Sequence, residues 1–304
     1  MDKSYFDISE EIQLAIENQK PIVALESALI SHGLPYPENI YVAQSSINTI
    51  RENGSIPATI AIINGRIKVG LSNDDIKTLS ENSNVEKISK HNLANSLNNN
   101  NHGTTTVAST IYLAANLGIK FFSTGGIGGV HLNVENTFDI SSDLRELSKT
   151  PICVVCSGAK SILDLDKTFE RLETLGISRI GFQTDYMPGF WYYQTNKKVD
   201  HNYTTINELT NYLKIRENLK LDGSVLLFNA IPKDKAIDKK LVQEWINISI
   251  KKAKKNLIEG KELTPYLIRE INNLSKNKTL EANKELIICN ATLAAKVAAN
   301  YKKI

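Results

Sequence analysis

The segment that indicates the fold is residues 152–175, which read ICVVCSGAKSILDLDKTFERLETL. It begins with a short apolar run and continues into a longer segment in which apolar residues recur at helical spacing. Short apolar runs alternate with helical segments along most of the chain. This alternation is typical of βαβ units and a largely parallel sheet, so the sequence predicts an α/β fold.

The same pattern places the other elements. The candidate strands cover residues 22–25, 58–63, 119–123, 152–156, 180–183 and 225–228. The candidate helices cover residues 104–117, 141–149, 160–175, 205–216 and 236–257, and two further helices are expected within 265–301. The dipeptide Asn64-Gly65 separates two apolar runs, and both residues tolerate the positive φ of a tight hairpin turn. An antiparallel hairpin is therefore expected to join the sheet. The Asn-rich stretch 92–102 is expected to be a polar surface loop.

The composition is that of an ordinary globular protein. The 304 residues include 36 Lys and Arg against 33 Asp and Glu, which gives a formal net charge of +3, and 41% of the residues are hydrophobic and 23% charged. These proportions argue against a disordered, coiled-coil or collagen-like chain. The length is compatible with one or two domains, and because the sequence shows no convincing linker or repeat, we predict a single domain over residues 1–304. The small positive excess gives no reason to expect nucleic acid or a membrane as a partner.

No segment predicts export or membrane insertion. No apolar run approaches the roughly 20 residues of a spanning helix, and the first residues, MDKSYFD, lack the apolar core of a secretory signal. The three cysteines do not build a disulfide framework. We therefore expect a cytoplasmic protein.

A glycine-rich segment, TGGIGGVH (residues 124–131), follows the candidate strand 119–123. The dinucleotide fingerprint G-x-G-x-x-G fails because His131 stands where the third glycine would be. The glycines could still present N–H groups to a phosphate or a sugar. A tight turn without a ligand is equally consistent with the segment.

Glu26 lies at the exit of an otherwise apolar strand, within VALESAL (residues 23–29). A carboxylate at such a position must be paired, or its pKa rises and it holds its proton. A carboxyl that is protonated near neutral pH suits a general acid. An ion pair with a structural lysine or arginine explains the position as well, so both interpretations stay open.

Lys160 stands where the candidate strand 152–156 meets the next candidate helix. Ligands of open α/β sheets bind beyond the carboxyl ends of the strands, and the partial positive charge of a helix N-terminus disfavours an ammonium group. A neutral lysine is the nucleophile that forms a Schiff base with a sugar carbonyl, although a solvated lysine is the simpler interpretation. Cys153 and Cys156 have the C-x-x-C spacing of redox or zinc sites, but they lie in a hydrophobic run without a second ligand pair.

Two hydroxyl-rich segments precede candidate helices. In FDISSDL (residues 138–144), Ser141 or Ser142 can cap the helix and Asp143 suits the helix dipole. Asp139 is either a further cap or a single carboxylate that, together with water, holds a hard cation such as Mg²⁺ or Mn²⁺. The second segment, HGTTTV (residues 102–107), fits a phosphate site or plain capping equally well.

The set of motifs resembles the pseudouridine-5′-phosphate glycosidase family. Besides the segments above, the resemblance rests on ALES (24–27), SHGLPYP (31–37), VCSGAKSILD (155–164), the dipeptide at 264–265 and LEAN (280–283). These motifs occur in the order of the family and cover nearly the whole chain. Two segments depart from the family pattern, namely KHN (90–92), where an Arg-Arg-Asp-type stretch is usual, and residues 181–194.

The resemblance implies a three-layer α/β/α fold with a largely parallel mixed sheet, a small antiparallel hairpin and C-terminal helices, assembled as a homotrimer. It implies that Lys160 is the Schiff-base lysine, that Glu26 is the proton donor, and that one Mn²⁺ ion binds Asp139 with water as its other ligands. The substrate-contacting positions that it implies are Lys87, Val107, His131, Ser141, Ser142, Asp143 and Asn283.

The implied activity is the reversible cleavage of the carbon–carbon glycosidic bond of pseudouridine 5′-phosphate into uracil and ribose 5-phosphate. This reaction belongs to pseudouridine catabolism and is assigned by convention to the carbon–oxygen lyases. Two other functions stay open. A Schiff-base sugar-phosphate aldolase or lyase would use the same lysine, and a non-catalytic nucleotide-binding homologue would keep the pocket without turnover.

Overall fold

The computed structural model describes residues 2–258 and 263–303. Within these ranges eleven strands form one sheet: β1 Phe6–Ile8, β2 Ile22–Leu25, β3 Ile56–Ile63, β4 Arg66–Val69, β5 Glu86–Ile88, β6 Gly103–Thr105, β7 Phe121–Ser123, β8 Cys153–Cys156, β9 Ser178–Phe182, β10 His201–Tyr203 and β11 Val225–Phe228. The helices there are α1 Glu10–Glu17, α2 Glu38–Glu52, α3 Asn73–Glu81, α4 Leu93–Asn98, α5 Val107–Asn116, α6 Val134–Thr137, α7 Ser142–Leu147, α8 Leu165–Thr174, α9 Ile206–Asn218, α10 Lys239–Lys255, α11 Leu263–Leu274 and α12 Lys278–Lys303.

The sheet is mixed and largely parallel. Its strand order is β1-β4-β3-β2-β7-β8-β11-β9-β10, and β6 pairs with β3 and with β5. The strands from β3 through β2 to β10 are parallel to their neighbours, whereas β3 is antiparallel to β4 and to β6. The β3–β4 turn is the predicted hairpin at Asn64-Gly65, where φ is 49° and 70°.

Two cores cover the two faces of the sheet, because successive side chains of a strand point in opposite directions. On one face, Ala24, Phe122 and Val154 pack with residues of α1, α5, α7 and α8. On the other face, Val23 and Val155 pack with residues of α2, α9 and α12. The predicted three-layer α/β/α architecture is confirmed. None of the helices in the described ranges has the length and apolar character needed to cross a membrane.

The site is positioned by four adjacent parallel strands, β2, β7, β8 and β11. Their last residues are followed by Glu26, Thr124, Ser157 and Asn229 respectively. Because the carboxyl ends of parallel strands meet at the same side of a sheet, these four polar residues lie along one edge. We call it the carboxyl edge.

Three sequence-based boundaries are wrong. The helix expected from residue 104 begins at Val107, because Gly103–Thr105 extends the sheet as β6, where β-branched threonines are favoured. The helix expected from residue 160 begins at Leu165, where the Asp164 side chain caps it by accepting the N–H of Lys167 at 3.0 Å. The stretch 92–102 is not a plain loop, since α4 lies within it and buries Leu93.

The helices α1, α2 and α3 have no counterpart among the predicted elements. In α2 the buried positions include Asn39 and Ser46, whose side chains donate hydrogen bonds to backbone carbonyls. These polar residues interrupt the apolar stripe that the sequence pattern depends on. The division into a single domain over residues 1–304 stays a prediction.

Candidate active site

Glu26 is held at the carboxyl edge by a hydrogen bond from a neighbouring strand end. The hydroxyl of Thr124, which follows β7, donates to the Glu26 carboxyl group. Burial raises the pKa of Glu26, while the positive charge of Lys160 and the Thr124 hydrogen bond act in the opposite direction. The net direction is upward, so this carboxyl group retains its proton to a higher pH than an ordinary glutamate does.

Lys160 follows β8 and is fixed by its backbone to the glycine-rich segment. Its N–H donates to the carbonyl of Ile127 at 3.1 Å, and Ala159 forms a parallel bridge with Ile127. Gly158, two residues before Lys160, has a φ of 89°, a left-handed conformation that glycine adopts without strain. The sequence predicts that Lys160 lies at the N-terminus of a helix. This prediction is wrong, because α8 begins only at Leu165.

Five charged or titratable side chains lie within electrostatic reach of one another at this edge. The pKa of Glu26 responds to Lys160, Asp143 and Lys87, and that of Lys87 responds to Lys160, Glu26 and Asp143. Burial of its ammonium group, reinforced by Lys160, lowers the pKa of Lys87. Burial also lowers the pKa of His131. It outweighs the opposite effect of Asp139, and Lys160 and Lys87 add to the lowering. The structure therefore brings Glu26, Lys87, His131, Asp143 and Lys160 into one cluster.

Asp143 connects the elements around this cluster. Its carboxylate is buried and accepts the N–H of Ala108 at 2.9 Å and the N–H of Gly128 at 2.8 Å. It thus ties the start of α5, where the buried Val107 is the first residue, to the glycine-rich segment. The Ser141 hydroxyl accepts the N–H of Asp143 at 3.2 Å as the cap of α7.

The remaining substrate-contacting candidates are Ser142 and Asn283. The hydroxyl of Ser142 lies 2.9 Å from that of Ser89. The indole N–H of the buried Trp191 donates to the side-chain oxygen of Asn283 at 2.7 Å. The amide nitrogen of Asn283 takes no part in this hydrogen bond. That any of these candidates contacts a substrate stays a prediction.

Asp139 lies at the accessible rim of the cluster. Its side chain is 46% exposed, and its Oδ2 atom lies 3.7 Å from His131 Nδ1. In residues 2–258 and 263–303 no group of three or more His, Cys, Asp or Glu side chains could hold a metal ion. The donor set at Asp139 therefore fits only a hard cation that keeps most of its water.

Asn290 was not recognised from the sequence as part of the site. This fully buried residue of α12 donates from its amide nitrogen to the carbonyl of Thr124 at 2.9 Å and to the hydroxyl of Ser157 at 3.1 Å. Its side-chain oxygen accepts from the Asn229 amide at 3.0 Å. One side chain thus joins the ends of β7, β8 and β11. The only sequence signal was an asparagine on an apolar helix face.

The C-x-x-C pair has no role at this site. Cys153 and Cys156 are both buried in β8 as free thiols. Burial raises the pKa of each to about 12. Because the thiolate is the form that reacts and binds zinc, the redox and zinc interpretations are not supported.

Comparison with known proteins identifies the family. The family described as indigoidine synthase A like protein matches residues 11–300. The chain belongs to this family. A protein from Brachyspira hyodysenteriae named pseudouridine-5′-phosphate glycosidase is 45% identical to the chain, and the match covers 99% of this chain and 98% of that protein. A protein of the same name from Petrotoga mobilis is also 45% identical, and the match covers 98% of this chain and 97% of that protein. The resemblance to pseudouridine-5′-phosphate glycosidases is confirmed.

Solved structures of the family share this fold. A prealnumycin C-glycosynthase in complex with ribulose 5-phosphate superposes with a TM-score of 0.92 at 32% identity, covering 99% of this chain and 98% of that one. An indigoidine synthase A-like protein from Thermotoga maritima superposes with a TM-score of 0.88 at 30% identity, covering 98% and 97% of the two chains.

The hydrogen bond between Thr124 and Glu26 has a measurable consequence. In Thr124→Val the carboxyl group loses a donor that stabilises its charged form, so we expect the pKa of Glu26 to rise further. The measurement is a ¹³C NMR titration of the labelled glutamate carboxyl groups. The control is Thr210→Val, since Thr210 is also fully buried and hydrogen-bonded but lies on α9. A Glu26 pKa that falls, or that rises equally in the control, would contradict this assignment.

Proposed function

We propose that this protein is a cytoplasmic enzyme that reversibly cleaves the carbon–carbon glycosidic bond of pseudouridine 5′-phosphate, giving uracil and ribose 5-phosphate. The observation that carries the proposal is the placement of a partly buried Glu26, whose pKa is raised, within electrostatic reach of Lys160 at the carboxyl edge. The names of the relatives and of the C-glycosynthase support it, since both concern carbon-linked sugars, and the ribulose 5-phosphate bound by the C-glycosynthase is a pentose phosphate like the proposed product.

The chemistry requires a nucleophile and a proton donor. Ring opening breaks the bond between the anomeric carbon and the ring oxygen. The base N1 supplies the electron pair and loses its proton, and the ring oxygen leaves as a hydroxyl group that gains a proton. The anomeric carbon is then conjugated with the base, and the neutral amine of Lys160 adds to that carbon while its proton returns to N1. Glu26 then delivers its proton to the uracil carbon while the carbon–carbon bond breaks, and the lysine nitrogen supplies the electron pair that forms the imine. Water hydrolyses the imine, so that ribose 5-phosphate leaves and the amine of Lys160 is restored.

The other members of the cluster suit the anionic parts of the substrate. Lys87 places an amine whose pKa is lowered by burial within electrostatic reach of both reacting side chains, and His131 with a lowered pKa is a neutral hydrogen-bonding group near neutral pH. We assign Lys87, His131, Ser141, Ser142 and Asn283 to substrate binding. Val107, the first residue of α5, and Asp143, which accepts the N–H groups of Ala108 and Gly128, are assigned to substrate binding as well.

The proposal includes one Mn²⁺ ion held by Asp139, with water as its other ligands. The accessible carboxylate, with His131 as a neighbouring potential donor, fits a weakly held hard cation. When bound, the ion supplies positive charge that offsets the charge on substrate oxygens.

The homotrimer is likewise part of the proposal. Beside Asp139 the chain exposes large apolar side chains, with Phe138 82% and Ile140 42% exposed. Clustered exposed apolar surface of this kind is characteristic of association sites. Another copy of the chain packed against this segment would remove the side chains of Phe138 and Ile140 from water.

The covalent step is tested by trapping. With ribose 5-phosphate and borohydride, we expect the wild type to gain the mass of one reduced sugar adduct per chain, and Lys160→Ala to gain none and to release no uracil from pseudouridine 5′-phosphate. The control is Lys167→Ala, a lysine seven residues further along that pairs with Asp164 at 2.9 Å at the surface.

An adduct that persists in Lys160→Ala would refute the assignment of the nucleophile. A 2-deoxyribose phosphate ester serves as the alternative substrate. Its cleavage, without uracil release from pseudouridine 5′-phosphate, would indicate a sugar-phosphate aldolase instead.

The proton donor is tested by pH dependence. Because a general acid must carry its proton, wild-type activity should fall as pH rises through the raised pKa of Glu26. Glu26→Gln keeps a hydrogen-bond acceptor for Thr124 but cannot donate this proton. The kcat of Glu26→Gln should be lower by about 100-fold or more, and it should not show the fall in activity that the wild type shows as pH rises through the pKa of Glu26. The borohydride-trapped adduct should still form in this variant.

The same substitution gives a readout that does not involve catalysis. A carboxyl group whose folded pKa lies above its unfolded value near 4.3 stabilises the folded state less as pH rises. The free energy of unfolding of Glu26→Gln relative to wild type should therefore increase between about pH 4 and the folded pKa. A difference that stays constant with pH, measured by urea unfolding, would contradict the raised pKa.

The metal assignment is tested by direct binding. We expect Asp139→Ala to lose the bound Mn²⁺ that electron paramagnetic resonance detects in the wild type, because it removes the carboxylate ligand. Glu135→Gln is the matched control, since Glu135 is an exposed acid four residues away that pairs with Lys167. Equal Mn²⁺ binding by Asp139→Ala and the wild type would place the ion elsewhere.

A further inference from the structure

A cavity of about 730 Å³ lies on the side of the sheet opposite the carboxyl edge. Its floor includes Phe121, Cys153 and Val225, which are the first residues of β7, β8 and β11. We call it the amino-edge cavity. Since β8 has four residues, roughly 13 Å of strand separates this floor from the carboxyl edge. The volume lies within the range of roughly 300–1,000 Å³ found for small-molecule sites.

The walls combine aromatic rings with cations. Tyr112 of α5 and Tyr301 of α12 both line the cavity. The ammonium group of Lys90 lies 4.0 Å from the centre of the Tyr112 ring, and that of Lys120 lies 5.3 Å from the centre of the Tyr301 ring. An apolar floor with aromatic walls suits a flat aromatic group.

Positive charge dominates the lining. The cations are Lys90, Lys120, Lys149, Arg216 and Lys220, and the acids are Glu146, Glu217 and Asp222. Five cations against three acids leave an excess of two positive charges.

The acids do not neutralise every cation. Glu146 pairs with Lys90 at 3.1 Å, and Glu217 pairs with Lys120. The Arg216 guanidinium donates only to neutral oxygens, namely the Ser178 hydroxyl at 2.9 Å and backbone carbonyls. In the part of the chain that the structure describes, neither Lys149 nor Lys220 forms an ion pair.

We propose that the amino-edge cavity is a second ligand site, which binds a compact aromatic anion of the nucleoside monophosphate class. The phosphate faces Lys149, Lys220 and Arg216, and the base lies against the tyrosine-lined wall. The three cations offer charge-assisted hydrogen bonds to phosphate oxygens. The site shares no lining residue with the cluster around Glu26 and Lys160, so binding there does not depend on the proposed reaction.

The test is calorimetric titration with uridine 5′-monophosphate. We expect two classes of site per wild-type chain. In Lys149→Gln/Lys220→Gln one class should weaken by at least about tenfold, because two phosphate-facing cations are lost. In Lys87→Gln the other class, at the carboxyl edge, should weaken while the amino-edge class remains. Uridine and inorganic phosphate, which each lack one half of the probe, should bind the amino-edge class more weakly than the nucleotide.

The matched control is Lys251→Gln/Lys254→Gln, which removes the same charge from exposed positions on α10. Equal weakening in this control would mean a general charge effect and would overturn the proposal. The cations could instead serve only to offset the negative ends of α5, α7 and α9. In that case Lys149→Gln/Lys220→Gln would lower the melting temperature but leave every nucleotide-binding class unchanged, which would also overturn it.

Discussion

The burial of the Glu26 carboxyl group beside positive charge is the interaction on which the carboxyl edge depends. An isolated carboxylate in this environment would cost several kcal/mol, so the group must either keep its proton or find a partner. Here both effects operate, since Thr124 donates to it and Lys160 lies within electrostatic reach. Burial is the larger effect and raises the pKa of Glu26. The fold thereby holds a proton where the chemistry needs one.

The arrangement is kept in place by side chains that bind the backbone. The Asp143 carboxylate accepts hydrogen bonds from two backbone N–H groups. The Asn290 amide donates to the carbonyl of Thr124 and to the hydroxyl of Ser157, which follow two neighbouring strands. Ser27, directly after Glu26, donates to the carbonyl of Ile60 at 2.6 Å and accepts the N–H of Thr105 at 2.9 Å. Each of these polar groups is buried and fully used, so displacing a strand end would leave an unsatisfied group in the core. The rigidity of the site follows from this cost.

The sequence predicted the parts of the molecule that depend on local pattern. The apolar run 22–25 is β2, and the Asn64-Gly65 turn joins β3 to β4. The start of α8 was placed five residues too early, because the apolar pattern continues through Ile162 and Leu163 while the cap is Asp164. Asn290 could not be found, since its partner Thr124 lies 166 residues away in the chain. A hydrogen bond between residues so far apart in the chain can form only once the sheet has formed.

The glycine-rich segment is required by the close packing of side chains against its backbone. A Cβ atom on Gly128 would lie 2.2 Å from Ser141 Oγ and 2.8 Å from Asp143 Oδ2. A Cβ atom on Gly129 would lie 2.5 Å from Thr168 Oγ1. Both glycines are therefore required by the close approach of these side chains to the backbone. One of those contacts is the Asp143 carboxylate that receives the Gly128 N–H, so the glycines shape the site by admitting the residues that hold it. The tight packing of this segment is therefore the means by which Asp143 reaches the backbone at the carboxyl edge.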